Sequence, residues 1–210
     1  LVQRIMSRES SINMGALSRG RVGRFEVLTN AAENLMQSNI YIDDSSTLNI
    51  YELKSKARKM VQKHDVGLII IDYLQLMHGD SKKNTNREQE ISSISRSLKA
   101  LAKELNVPVI ALSQLSRDVE KRSEKVPQLS DLRESGAIEQ DADMVMFLYR
   151  PSESERMADA ELENKGMAKI AKHRNGSLES FAFEVDNSIQ TWKEIGVLGY
   201  EKMQAVGVRK

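Results

Sequence analysis

The chain has 210 residues and no cysteine. Disulfides and thiolate metal sites are therefore excluded. Imidazole is scarce too: only His64, His78 and His173 carry one, and they are widely spaced. No apolar stretch approaches the roughly 20 residues needed to span a bilayer, and no signal peptide is visible. The expected location is the cytoplasm, with no membrane partner. Net charge is only +1, so bulk electrostatics make no case for nucleic-acid binding. A further absence concerns phosphate. No Gly-x-x-x-x-Gly-Lys-Ser/Thr loop occurs anywhere, and the eleven glycines do not form a degenerate version.

What is present is an ordinary globular composition, 40% hydrophobic and 29% charged, long enough for one large α/β domain or two small ones. Leu1 to Met6 reads as a helix already under way, with no Met and no cap before it. This suggests a fragment of a longer protein. A loop with Gly15, Gly20 and Gly23 follows, then a helix around Phe25 to Met36. Ile40-Tyr41-Ile42 reads as a short strand. Asn49 and Glu52 suggest a capping box ahead of a helix with apolar positions Ile50, Leu53, Ala57, Met60 and Val61.

Leu68-Ile69-Ile70-Ile71-Asp72 is an apolar run that stops at one carboxylate, the pattern of a strand covered on both faces of a parallel sheet. Ligands of such sheets bind outside the carboxyl ends of the strands, where an acid can serve Mg²⁺. Thr85 and Glu88 suggest another capping box. Ile91, Ile94, Leu98, Leu101 and Leu105 form one helical stripe, which must end near Asn106 because Pro108 cannot continue it. Val107 to Leu112 is a second buried strand, ending at Ser113-Gln114. Both Asp72 and Gln114 should then lie at one sheet edge, where an acid and an amide can serve a phosphate or a water. Read alone, Gln114 is better taken as merely capping a loop.

Met144 to Leu148 and Met167 to Ala171 are further strands. Leu178 to Val185 and Ile189 to Trp192 read as a hairpin around Asp186-Asn187. Strands alternating with helices, then a run of strands, imply an α/β fold, mostly parallel with an antiparallel extension.

Four segments together carry a resemblance. They are Ile71-Asp72-Tyr73-Leu74-Gln75-Leu76, Val107 to Arg117, Asp131 to Asp143, and Ala171-Lys172-His173-Arg174-Asn175-Gly176. In sequence, order and spacing they resemble consecutive motifs of the DnaB-type replicative helicases, and the likeness runs from Leu1 to about Trp192. It implies a RecA-like P-loop NTPase fold lacking its first, P-loop-bearing strand. Residues 1–195 would be a partial motor domain and 196–210, which do not resemble the family, a tail of unknown role.

The resemblance also assigns roles. Asp72 would be the Walker B acid, orienting Mg²⁺ through water. Gln114 would sense the terminal phosphate of ATP. Lys172 and Arg174 would reach the nucleotide of a neighbouring subunit, with Arg174 as arginine finger. Residues two apart share a face of a strand, so these two project together and His173 points away. Without the resemblance they are two solvated cations before an Asn-Gly turn.

The segment 129–143 holds Asp131, Glu134, Glu139, Asp141 and Asp143 against one base, Arg133. By charge it is a solvated acidic loop, and Arg133 pairs with Glu134, Asp131 or Glu139. In the family the matching loop lines a central pore, where Arg133 and the N–H groups near Glu134 and Gly136 would grip single-stranded DNA. The implied partners are single-stranded DNA, further copies in a homo-oligomeric ring (a hexamer), a helicase loader and a primase.

The leading expectation is part of an ATP-dependent replicative DNA helicase, inactive as this chain alone because the P-loop is absent. The alternatives are a non-catalytic truncated paralogue that assembles or binds DNA, and a recombinase- or clock-type ATPase. Asp131-Leu132-Arg133-Glu134-Ser135-Gly136 argues against the last.

Overall fold

A computed structural model describes residues 1–45, 48–79, 86–122, 125–132 and 136–195. The tail 196–210, Thr85 of the expected capping box, and Arg133 and Glu134 lie outside the described residues. The chain begins with α1 (Val2–Ser10), α2 (Met14–Ser18) and α3 (Phe25–Gln37). It continues with α4 (Ile50–His64), β1 (Ile69–Ile71), α5 (Arg87–Leu105), β2 (Val109–Ala111) and α6 (Gly136–Asp141). β3 (Met144–Tyr149), α7 (Glu153–Ala158), β4 (Lys165–His173), β5 (Ser180–Asp186) and β6 (Thr191–Glu194) complete it.

The chain divides into two compact units. One holds Leu1–Tyr41, Leu148–Lys169 and the chain from Glu179 onward; the other holds Ile42–Phe147 and Ile170–Leu178. In the first unit, β4 pairs antiparallel with β5 from Lys165↔Glu184 to Lys169↔Ser180, and β5 pairs antiparallel with β6. This is the expected hairpin. A methyl group on Gly166 would come within 2.8 Å of both the Trp192 ring and Val185, so only hydrogen fits there.

The second unit carries the candidate site. α5 starts at Asn86, whose side chain accepts from Glu88 N–H at 3.3 Å, one residue later than the expected cap at Thr85. It ends at Asn106, left-handed at φ 52°, two residues before Pro108. Asn49 caps α4 by accepting from Tyr51 N–H at 2.9 Å. The apolar stripes of both helices close on β1: Ile50, Leu53 and Ala57 from α4, and Ile94, Leu98 and Leu101 from α5, pack around Ile71, Leu74 and Met77. Each large side chain buried there contributes about 1.5–3 kcal/mol. A smaller cluster joins Leu132, Val145 and Phe147, with Leu115 and Ala171 against it.

β1 and β2 are parallel, as expected, but neither is covered on both faces. Ile71 is buried while Ile70 is 61% and Ile110 48% exposed. The reason is that α4 and α5 pack on one face, and among the described residues nothing comparable covers the other. Ile40-Tyr41-Ile42 is not a strand; all three side chains are about half exposed, and β-branching alone does not make a strand without a partner to pair with. No helix is long and apolar enough to cross a membrane among the described residues.

Leu101 is fully buried between α5 and the sheet. Leu101→Ala should lower stability by about 2–5 kcal/mol. A urea titration followed by far-ultraviolet circular dichroism measures this, and a loss below about 1 kcal/mol would contradict the packing described.

Candidate functional site

The register of β1 and β2 sets the geometry. Ile69, Ile70 and Ile71 stand level with Val109, Ile110 and Ala111. Leu112 N–H donates to the Ile71 carbonyl at 2.9 Å, and Leu74 N–H to the Leu112 carbonyl at 3.0 Å. The two strands therefore end together. Asp72 follows Ile71 directly and is exposed; among the described residues it enters no ion pair. Gln114 lies three residues beyond Ala111 on the neighbouring strand's exit and is also exposed. Sequence reasoning brought these two to one edge, and the structure does the same.

Sequence reasoning missed what holds that edge. The Gln75 side chain, in a 3₁₀ turn of Leu74–Leu76, reaches across to the exit of β2. Its Nε2 donates to Ser113 Oγ at 3.0 Å and to the Gln114 carbonyl at 3.4 Å. Its Oε1 accepts from Gln114 N–H at 3.3 Å. Arg87, the first residue of α5, donates to the carbonyls of Gln75 at 2.9 Å and Met77 at 3.1 Å, and pairs with Glu90. Glu90 in turn accepts from Gly79 N–H at 2.8 Å. A cavity of about 630 Å³ opens beside this cluster, lined among others by Gln75, Arg87, Gln114, Arg117 and Asp131. The available signal was a lone amide, Gln75, between two leucines in an otherwise apolar run.

Beyond Gln114 the chain loops out and returns. Ser116 N–H donates to the Asp131 carbonyl at 2.9 Å, fastening the outgoing strand exit to the returning segment. Asp131 is buried, and its carboxylate takes both the Arg122 guanidinium and Gln128 N–H, the latter at 2.7 Å. Charge counting marked Asp131 as solvated; it is instead an internal acceptor that shapes the loop ahead of residue 133. A buried acid with these donors needs no bulk water.

Lys172 and Arg174 do project together. Lys172 Nζ donates to the carbonyls of Glu139 and Gln140, and Arg174 Nη2 to that of Gln140 at 3.4 Å. These are the last free carbonyls of α6, where cations are favoured. His173 turns away toward the Ser177 carbonyl at 3.4 Å, as the strand alternation predicts. Asp143 gathers the cations: Arg174 Nη1 lies 3.1 Å from its Oδ1, and Lys99 of α5 hydrogen-bonds its Oδ2. The Lys99 hydrogen bond is the main reason the Asp143 carboxyl titrates below its ordinary value; partial desolvation opposes it. Its contribution to stability is thus present above the ordinary carboxyl pKa and is lost on acidification through the lowered one. Gly136 opens α6, exposed, and among the described residues nothing lies within 4 Å of where a Cβ would stand. Among the described residues no hydrogen bond or ion pair joins Asp72 or Gln114 to Lys172 or Arg174.

Residues 1–194 match the family described as the DnaB-like helicase C terminal domain. The chain belongs to that family. It is 49% identical over 180 residues to the replicative DNA helicase DnaC of Bacillus subtilis (strain 168), covering 84% of this chain and 39% of that protein. It is likewise 49% identical over 180 residues to the replicative DNA helicase DnaB of Geobacillus stearothermophilus, with the same coverage of both chains. The chain thus spans about 39% of the length of these curated relatives. Among solved structures, a DnaB-like replicative helicase described with its primase interactions superposes with TM-score 0.83 at 38% identity, covering 91% of this chain and 46% of that one. A second solved structure, described as an ATPase domain, superposes with TM-score 0.84 at 38% identity, covering 92% of this chain and 69% of that one. The RecA-like α/β expectation is therefore met: a parallel β1–β2 pair and an antiparallel β4–β5–β6 extension in a DnaB-like motor fold.

The Arg122–Asp131 pair can be tested directly. Arg122→Ala leaves a buried carboxylate with one backbone donor and should cost about 1–3 kcal/mol. Lys121→Ala, which breaks only the exposed pair with Asp118, should cost nothing measurable. Parallel urea titrations separate the two, and equal effects would contradict an internal role for Asp131.

Proposed function

We propose that the chain is the motor part of a replicative helicase that couples ATP hydrolysis to movement on single-stranded DNA and to duplex unwinding. The observation that carries this is the shared edge of β1 and β2, with Asp72 and Gln114 presented together in a chain of the DnaB-like family. The chain has no P-loop, so the cradle for the ATP phosphates comes from sequence beyond these residues.

Asp72 fits a role toward Mg²⁺. It is an exposed carboxylate at a strand's carboxyl end, and among the described residues no group of three or more His, Cys, Asp or Glu could hold a metal. Mg²⁺ suits such a place, since it keeps several waters and takes one or two carboxylates plus phosphate oxygens. When bound, the ion would neutralise phosphate charge. Asp72 would hold it, and Gln114 would offer an amide to the terminal phosphate. Among the described residues Lys172 and Arg174 have no bond to that edge, which supports a role toward a neighbouring subunit's nucleotide in a ring, a hexamer by family resemblance. There they would stabilise charge on the transferring phosphoryl group.

Arg133, with N–H groups near Glu134 and Gly136, would hold the phosphates of single-stranded DNA. That no described residue crowds Gly136 supports a close approach of backbone to phosphate. A primase partner is supported by the DnaB-like helicase structure described with primase interactions; a helicase loader is a further partner of this reading.

Two experiments on the full-length protein test this. Arg174→Ala should lower ATP turnover by about 10³-fold or more while leaving nucleotide binding to a subunit's own site mostly intact. Mixing Arg174→Ala subunits with inactive Asp72→Asn subunits should restore some turnover, because some interfaces carry neither defect. Full activity of Arg174→Ala alone would sink the finger role. Arg133→Ala should weaken single-strand binding about equally for all sequences and reduce the salt slope by about 1. Unchanged affinity and slope would take this loop out of the DNA path. A full-length protein that binds DNA but turns over no ATP would instead establish the non-catalytic reading.

A further inference from the structure

The clamp between the two strand exits carries an inference that rests on the sensing role proposed for Gln114. We infer that Gln75 is a positioning residue: it sets the main chain of Gln114 so that the sensing amide meets the phosphate. Three observations support it. First, the contact is two-pointed. One side-chain amide both donates to the Gln114 carbonyl and accepts from Gln114 N–H, 39 residues away in sequence. A primary amide carries a donor and an acceptor together, which a peptide unit requires and which a carboxylate or an apolar group cannot offer. Ser113 Oγ adds a third bond.

Second, the clamp holds the main chain and leaves the side chain free. Gln114 is exposed, and none of the described residues hydrogen-bonds its side-chain amide. A sensor needs this combination, since a fixed pivot with an unengaged head lowers the entropy lost on meeting its ligand. Third, Gln75 is itself anchored. Its carbonyl takes a guanidinium hydrogen bond from Arg87, and Arg87 is paired with Glu90 within the first turn of α5. Gln75 also stands three residues after Asp72, so the segment that presents the acid also aligns the sensor.

The test uses the full-length protein and its DNA-stimulated ATPase. Gln75→Ala should lower kcat about 10-fold with KM for ATP changed less than about 2-fold, because a misplaced sensor loses transition-state and not ground-state contacts. Ring assembly and Tm should stay at the parent's values. Gln75→Glu should show a deficit that shrinks as pH falls from about 8.5 toward about 5.5, since protonation restores a donor on that side chain. A double-mutant cycle gives the decisive reading. In a Gln114→Ala background, Gln75→Ala should add little further loss, whereas independent roles would multiply.

If Gln75→Ala or Gln75→Glu keeps the parent's kcat across this pH range, the inference is overturned. It is also overturned if kcat falls only as far as Tm and ring assembly fall, in both Gln75→Ala and the volume-keeping Gln75→Leu, for that marks a scaffold. If Gln114→Ala itself keeps full turnover, the sensing role fails. If Gln114→Ala is impaired and Gln75→Ala is not, only the positioning inference fails.

Discussion

The hydrogen bond from Leu112 N–H to the Ile71 carbonyl ends the parallel pairing of β1 and β2, and the candidate site depends on it. Because a strand alternates faces every residue, a slip of one position would turn Asp72 or Gln114 to the wrong side and move Ile71 out of the core. The register is fixed from below by packing. Ile71 and Leu74 fit only against the stripes of α4 and α5. Chemistry at the edge is thus held by apolar volume several residues away, and the polar groups of the edge are spared the task of holding the fold.

α6 joins two other parts of the proposed machine. Gly136, at its start, adjoins the segment proposed to grip DNA. The carbonyls of Glu139 and Gln140, at its end, hold Lys172 and Arg174. Only six residues separate these ends, and a helix that short cannot bend appreciably along its length. A shift at one end is therefore felt at the other. Asp143, immediately past the helix, ties the same cations to Lys99 on α5. Under the proposed reading, DNA contact and finger position share one rigid element, and its C-terminal carbonyls and Asp143 set the strength with which the cations are held back from a neighbouring phosphate.

The sequence made the periodic parts of this fold legible. The stripe of Ile91, Ile94, Leu98 and Leu101 predicts α5, and Pro108 predicts its end. Asp72 and Gln114 could be placed at one edge because an apolar run before each marks a strand and strands of one parallel pair end on one side. Motif resemblance, not physical pattern, singled out Lys172 and Arg174. What could not be read were interactions whose partners lie far apart along the chain. Gln75 to Gln114 and Lys99 to Asp143 are polar pairs without a period, so no window of sequence displays them. The strand expected at Ile40-Tyr41-Ile42 failed for a related reason: strand propensity is a preference for a pleated surface with a paired neighbour, and among the described residues this segment pairs with no strand.

Several polar contacts of the site share a form in which at least one partner is main chain. Gln75 grips the main chain of Gln114, Ser116 N–H grips the main chain of Asp131, and Lys172 and Arg174 grip main-chain carbonyls of α6. Side-chain contacts give way by rotamer change, which dissipates a displacement within a few ångströms. The main-chain partner in each contact does not, because the peptide plane has only two soft dihedrals per residue and carries its neighbours with it. Under the proposed reading, a site that turns the loss of one phosphate into movement of a strand of DNA needs such stiff links in series. The exposed heads of Asp72 and Gln114 would then follow the ligand, while the backbone behind them would follow as a unit.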